Sequence, residues 1–382
     1  MKIISIVGAR PNFMKIAPFI RAINNYNLTS NNKIQHILVH TGQHYDVRMS
    51  QKFFDDLNIP PADIHLEIGS GSHAEQVGKT MIEFEKVVKA EKPDWIVVVG
   101  DVNAICAGAI VAKKEHIKLA HIEAGLRSGD ITMPEEVNRL VADRLSDLLL
   151  TPDKISNANL LKEGVPENKI KFVGNIMIDT LINEYDKSKS LNYSDIIKNN
   201  ILIEGSSYPD ISSKNYIVVT LHRPSNVDKL EIIKPITDFL CNEVANDFKV
   251  LWPIHPRTQK NLIEFNLFEE IKSNKNIVLM HPLGYHDMLR LNMEAKMVLT
   301  DSGGLQEECT ILGTPCLTLR WNTERPVTLK EHGGASVLVG NNIERIKNEY
   351  LATLSNNVVK NTPELWDGKT AERIVQEIIN YI

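Results

Sequence analysis

MKIISIVGARPNFMKIAP, residues 1–18, opens on a short apolar run, turns at Gly8 and continues as a segment able to form a helix. Residues 3–7 read as a buried strand. A strand that ends in glycine and turns into a helix commonly receives a phosphate on the first helical amides. This turn carries Arg10, Pro11 and Lys15 in place of further glycines. No GxGxxG and no GxxxxGK[ST] occurs, so neither a bound dinucleotide nor a P-loop nucleotide is indicated.

The pattern of the first eighteen residues repeats along the chain. Apolar runs at 37–39, 95–99, 119–122, 148–150 and 171–173 alternate with helical stretches. After a polar stretch rich in Asn, Ser and Lys they resume at 217–221, 250–254, 277–280, 297–299, 316–319 and 336–339. Continuous rather than alternating polarity suits parallel strands covered on both faces. The expected fold class is therefore α/β, with two Rossmann-like doubly wound domains facing a central cleft. The expected boundaries are an N-terminal domain over 1–186, a polar connecting region over 187–214 and a C-terminal domain over 215–368. A final helix over 369–382 has the N-terminal domain as its candidate packing surface.

A chain of 382 residues exceeds what one core usually organises, which agrees with two domains. Its net charge of -5 opposes a nucleic-acid partner, which would call for a basic patch. The four cysteines have neither disulfide-frame nor zinc-ligand spacing, and no apolar run approaches a membrane span. The expectation is a cytoplasmic protein with no membrane partner, no metal and no cofactor.

In open α/β sheets ligands bind beyond the carboxyl ends of the strands. The sequences there are GARP, HTGQHYD, GD at Gly100 and Asp101, HIEAGLR at 121–127, LHRPSN at 221–226, IHPRT at 254–258 and TDSGGLQEE at 300–308. Ser302 can cap a helix whose first amides Gly303 and Gly304 leave uncovered, a site for a diphosphate, with Gly313 and Pro315 closing the segment. Glu308, further along that helix, can accept hydrogen bonds from a ribose diol; a well-capped helix with a favourable glutamate pair is the plain alternative. His255, Arg257, Arg320 and Arg325 follow other strands of the same half as candidate phosphate or base contacts. In the first half Asp101, Glu123 and Glu135 follow successive elements; each alone reads equally as a cap or a helix start.

Together, MKIISIVGARPNFMKIAP, GD, HIEAGLRS, MPEEVNR, LHRPSNVD, HPRT, TDSGGLQEE and TERP closely resemble the non-hydrolysing UDP-N-acetylglucosamine 2-epimerases, in the right order over nearly the whole chain. The resemblance implies the GT-B fold and a homodimer acting on a UDP-sugar. The implied reaction is reversible C2 epimerisation between UDP-GlcNAc and UDP-ManNAc without a redox cofactor, for cell-surface polysaccharide precursors. It further implies elimination of UDP to 2-acetamidoglucal followed by re-addition. Asp101, Glu123 and Glu135 correspond to the acid/base set, His222 to a group assisting at the leaving phosphate, and Arg10 and Lys15 to holders of negative charge. The pattern RP-x3-K at Arg10, Pro11 and Lys15 is usually absent from hydrolysing relatives. The chain departs from the family at Ala9 and Asn12, where Thr and Glu are commoner, and at Pro224 and Ser225. QHYDVRM, 43–49, only partly matches the segment by which many bacterial members bind a second, activating UDP-GlcNAc. A C2 epimerase of a modified UDP-HexNAc, such as a diacetamido uronic acid, and a GT-B glycosyltransferase are the alternatives.

Overall fold

The computed structural model describes residues 1–8, 10–42, 60–203, 210–355 and 361–381, with the side chains of Arg10 and Pro11 outside the description. The chain divides into two compact units, Met1–Asn183 with Glu364–Ile382, and Glu184–Pro363.

The first unit is built on β1 (Lys2–Val7), β2 (Gln35–His40), β3 (Ile64–His65), β4 (Trp95–Val99), β5 (Lys118–Ile122), β6 (Leu148–Thr151) and β7 (Ile170–Phe172). All pair in parallel, in the order β3-β2-β1-β4-β5-β6-β7. The order reverses between β1 and β4, the topological switch point where doubly wound sheets collect ligands. All of β4 is buried, and Ile4, Ile6, Ile96 and Val98 share one core cluster with Ile105 and Ala109. The helices that shape the switch point are α1 (Arg10–Thr29), α2 (Asn103–Lys114) and α3 (Pro134–Leu145); α4 (Ile176–Lys189) carries the chain onward. The two-residue β3 has no apolar run to betray it and was not expected from the sequence.

The second unit repeats the architecture. Strands β8 (Tyr216–Thr220), β9 (Lys249–Pro253), β10 (Ile277–Met280), β11 (Met297–Thr300), β12 (Cys316–Thr318) and β13 (Ser336–Leu338) pair in parallel in the order β10-β9-β8-β11-β12-β13. The stretch 187–214, read as a connecting region from its polarity, contains α5 (Tyr193–Asn200). Ile196 and Ile197 of that helix are buried in one cluster with Tyr216, Leu251 and Met280, so the helix belongs to the second core. Tyr193 packs against the same cluster, and three apolar residues in eight are too few to stand out in a polar stretch. Helices α6 (Pro256–Glu264), α7 (Tyr285–Glu294) and α8 (Gly303–Leu312) follow strands of this sheet.

The last helix, α9 (Thr370–Ile379), returns to the first unit and packs on α1. Ala371, Ile374, Val375 and Ile378 are buried, and the Asp179 carboxylate accepts from the amides of Thr370 and Ala371 at 3.1 and 2.7 Å.

Candidate active site

In the first unit the residues after β1, β4 and β5 converge at the switch point. The Lys15 ammonium, one turn into α1, donates to Glu123 Oε2 just beyond β5, and both side chains are buried. Glu123 adopts a left-handed backbone, φ +70°, uncommon outside glycine and frequent at functional sites. Its other carboxylate oxygen, Oε1, is buried with no hydrogen-bond partner among the described residues. Gly100, between them, has φ +77°. A Cβ there would lie 3.1 Å from Lys15 Nζ and 3.2 Å from Asn12 Nδ2, so both the backbone and the space require glycine.

Asn12 explains one departure from the family pattern. Its amide nitrogen donates to the carbonyl of Val99 at 2.7 Å and its oxygen accepts from the Gly8 amide at 3.3 Å, tying the ends of β4 and β1. An ionised glutamate could not donate to Val99. Pro224 is equally accommodated, at the first position of the short helix Pro224–Val227, where no amide hydrogen is needed. Ala9, the Arg10 side chain and 43–49 lie outside the described residues.

Asp101 is held by Arg139, whose Nη1 donates to Asp101 Oδ2 at 2.6 Å. The same guanidinium donates to Glu136 Oε2 at 3.1 and 2.5 Å. The Glu-Glu pair at the start of α3 therefore divides its work. Glu136 is buried and also accepts from the Ser128 amide and hydroxyl and from the Gly129 amide. Burial pushes its carboxyl up, but Ser128 and Arg139 outweigh it and hold it below the ordinary range. Glu135 is half-buried and has no ion pair among the described residues.

In the second unit His222 Nδ1 lies 2.7 Å from Asp301 Oδ1. Asp301 is wholly buried and also accepts from the amides of His222 and Arg223 and from Asn226 Nδ2. Burial opposes its ionisation; the bonds from His222 and from the Arg223 and His222 amides prevail and lower its pKa. A carboxylate facing Nδ1 fixes a hydrogen on that nitrogen and leaves Nε2 for other work, and the His222 side chain is 42% exposed. The ring of His255 lies 5.7 Å away.

Other expected contacts are differently employed. His255 caps α6, its Nδ1 accepting from the Arg257 amide at 3.2 Å, and burial followed by the charge of His222 lowers its pKa. Arg257 is paired in a fork with Asp228, at 2.7 and 2.5 Å. Ser302 occupies the N-cap of α8 but its hydroxyl does not cap; its amide instead donates to Thr300 Oγ1 at 3.0 Å. The helix does end at Gly313, φ +72°.

The start of α8 is open at Gly304, where a Cβ would meet nothing within 4 Å. At Gly303 a Cβ would lie 2.9 Å from Arg325 Nη1 and 3.0 Å from Glu324 Oε1. Arg325, expected as a ligand contact, is committed to Glu307 at 2.8 Å and to Glu324, which also receives Arg320 Nη2 at 2.6 Å. All four side chains are buried, so this alternation of charges forms the floor beneath the helix start. Glu308 is buried on the same helix, with a long contact of 3.5 Å from Asn292 Nδ2 as its hydrogen bond among the described residues. Burial, with Glu307 adding to it, pushes its carboxyl up to about 8.

Residues 26–379 match the family model of UDP-N-acetylglucosamine 2-epimerase. The chain belongs to that family. The epimerase is 43% identical to the UDP-N-acetylglucosamine 2-epimerase of Methanocaldococcus jannaschii over 382 residues, covering 100% of this chain and 99% of that one. A crystal structure of the M. jannaschii UDP-GlcNAc 2-epimerase in complex with UDP-GlcNAc and UDP superposes with a TM-score of 0.86, covering 100% of both chains at 43% identity. The UDP-2,3-diacetamido-2,3-dideoxy-D-glucuronate 2-epimerase of Pseudomonas aeruginosa is 35% identical, over 98% of this chain and 99% of that one. A kitacinnamycin glycotransferase structure at 10% identity and TM-score 0.60 shares the fold alone, and the epimerase is of the GT-B class.

Sequence reasoning passed over Arg139, Glu136 and Asp301. Asp301 had a usable signal, since it follows β11 as Asp101 follows β4. Arg139 stands three residues after Glu136 on one helix, a spacing that brings side chains together.

Proposed function

We propose that the epimerase interconverts UDP-N-acetylglucosamine and UDP-N-acetylmannosamine by elimination and re-addition. The hydrogen on C2 is not adjacent to a carbonyl, so its simple removal would leave an unstabilised carbanion. Breaking the C1–O bond to UDP as the C2 proton leaves gives neutral 2-acetamidoglucal and UDP, and return of a proton to the other face with UDP to C1 completes the change. No net oxidation occurs. Proton transfer at both faces requires two positioned groups, and these are drawn from the set Asp101, Glu123 and Glu135.

The observation that carries this reading is the buried Lys15–Glu123 pair beside Asp101. Glu123 has one oxygen tethered to a cation and one without a partner among the described residues, on a backbone held in an uncommon conformation. Lys15 and Arg10 limit the repulsion between these acids and the departing diphosphate. His222, oriented by Asp301, serves at the leaving phosphate. The open amides of Gly303 and Gly304 after Ser302 receive the diphosphate, and Glu308, protonated, can both donate to and accept from a ribose hydroxyl. Arg325 supports that site from below, while His255 and Arg257 flank it. The product feeds cell-surface polysaccharide precursors in the cytoplasm, and the active species is a homodimer.

Proton NMR of the protein with UDP-GlcNAc in deuterated water, without added cofactor, tests this. UDP-ManNAc bearing deuterium at C2 is the expected product; free ManNAc with UDP would contradict it. The P. aeruginosa relative favours a second reading, C2 epimerisation of a UDP-diacetamido uronic acid. Exchange at C2 of that sugar and not of UDP-GlcNAc would select it.

A further inference from the structure

Arg320, just beyond β12, is only 4% exposed. Its backbone is fixed, the amide donating to the carbonyl of Thr318 at 2.8 Å and the carbonyl accepting from the Gly340 amide at 3.0 Å. From that anchor the side chain reaches the start of α8, where Nη1 lies 3.5 Å from the position a Cβ on Gly303 would take. Nη2 donates to Glu324 Oε2 at 2.6 Å.

The other two nitrogens, Nε and Nη1, are buried with no hydrogen-bond partner among the described residues. A guanidinium is always charged in a protein and carries hydrogens on all three nitrogens, so the bond to Glu324 spends only part of it. Arg257 and Arg325 are differently placed, the first closed in a fork on Asp228 and the second divided between Glu307 and Glu324. A buried donor without an acceptor costs about 1–3 kcal/mol, and more on a charged group, so these nitrogens call for an acceptor from outside the fold.

Their surroundings say what it is. They lie at the start of a ten-residue helix, whose first amides and dipole favour an anion. No side chain stands between them and that helix start, because position 303 is glycine; a Cβ there would crowd Arg325 Nη1 at 2.9 Å and Glu324 Oε1 at 3.0 Å. Glycine thus meets two demands, baring the amides and letting the charged tips close in. A phosphate group has oxygens enough to accept from amides and guanidinium at once, and arginine's planar fork matches it.

We infer that Arg320 is a phosphate-binding residue, and that the acceptor for its Nε and Nη1 is a phosphate oxygen of the UDP-sugar diphosphate. This rests on the reading of the Gly303 and Gly304 amides as the diphosphate site. Of the two buried arginines in the floor, Arg325 is the strut and Arg320 the one that meets the ligand.

Titration calorimetry with UDP and with uridine, on the unaltered protein and on Arg320→Lys, tests this. Lysine keeps a charge for Glu324 and loses the fork. The variant is expected to bind UDP about 10–100-fold more weakly, the worth of a charge-assisted hydrogen bond, and uridine within about twofold of the unaltered protein. Unchanged UDP binding, or both ligands weakened alike, would overturn the inference. Should the variant fail to fold, a crystal structure of the unaltered protein with UDP decides, with Nε or Nη1 expected within about 3.2 Å of a phosphate oxygen. A buried water or a carbonyl in that place, with UDP seated on the amides of Gly303 and Gly304, would overturn the inference alone. If the unaltered protein binds UDP no more tightly than uridine, or UDP lies away from those amides, the reading of the diphosphate site falls and takes the inference with it.

Discussion

A buried carboxylate such as Glu123 depends on its partner. Replacing Lys15 with Met would leave the charge desolvated and unpaired, and loss of one member of a buried pair costs about 3–5 kcal/mol. Chemical denaturation should register that loss, and C2 exchange should fall at least as far as stability would imply. Glu308 presents the opposite situation, a carboxyl kept neutral by burial with a pKa raised to about 8. Its unfolded-state pKa is lower, so its contribution is fully present below that value and is lost as pH rises through about 8. Melting temperatures of the ligand-free protein should decline across that window, and Glu308→Gln should flatten the decline. At this scale the sequence was legible in kind. Asp101, Glu123 and His222 stand at strand ends, where the chain's order alone places them. What could not be read was the partner, because Arg139 meets Asp101 and Asp301 meets His222 across long stretches of chain. Nor could sequence separate Glu135 from Glu136, since the face of α3 that turns inward depends on Arg139 and on the amides of Ser128 and Gly129.

Among elements, the corner from β4 into α2 is the most constrained. Gly100→Ala would force a left-handed backbone on a residue with a Cβ, at about 1–2 kcal/mol, and press that Cβ toward Lys15 and Asn12. The expected outcome is a modest fall in stability with a disproportionate fall in C2 exchange, since Lys15 holds Glu123 and Asn12 ties the ends of β1 and β4 beside it. A loss of activity matching only the unfolded fraction would contradict this. Strands were the most readable elements because parallel strands buried on both faces are largely apolar, as β4 is throughout. β3 and α5 were missed for the converse reason. Each is short, and each depends on neighbours distant in the chain rather than on its own composition.

At the scale of the molecule, the first unit is assembled from both ends of the chain. Trp366 is almost wholly buried, its indole nitrogen donating to the Pro152 carbonyl at 2.9 Å, shortly before α9 settles on α1. Trp366→Ala should cost the first unit about 3–5 kcal/mol. Thermal unfolding should then show an earlier first-unit transition beside an unshifted second-unit transition. A single transition displaced as a whole would mean that the two units unfold together.

The discontinuous first unit also sets an order of events at the ribosome. The second unit is one uninterrupted stretch, Glu184–Pro363, and can close as soon as it has emerged. The first unit, although begun earlier, lacks α9 and the Trp366 contact until the segment that follows the second unit has been translated. The unit begun first is therefore completed only after the second, and the Lys15–Glu123 neighbourhood matures on a scaffold that the segment beyond Pro363 completes.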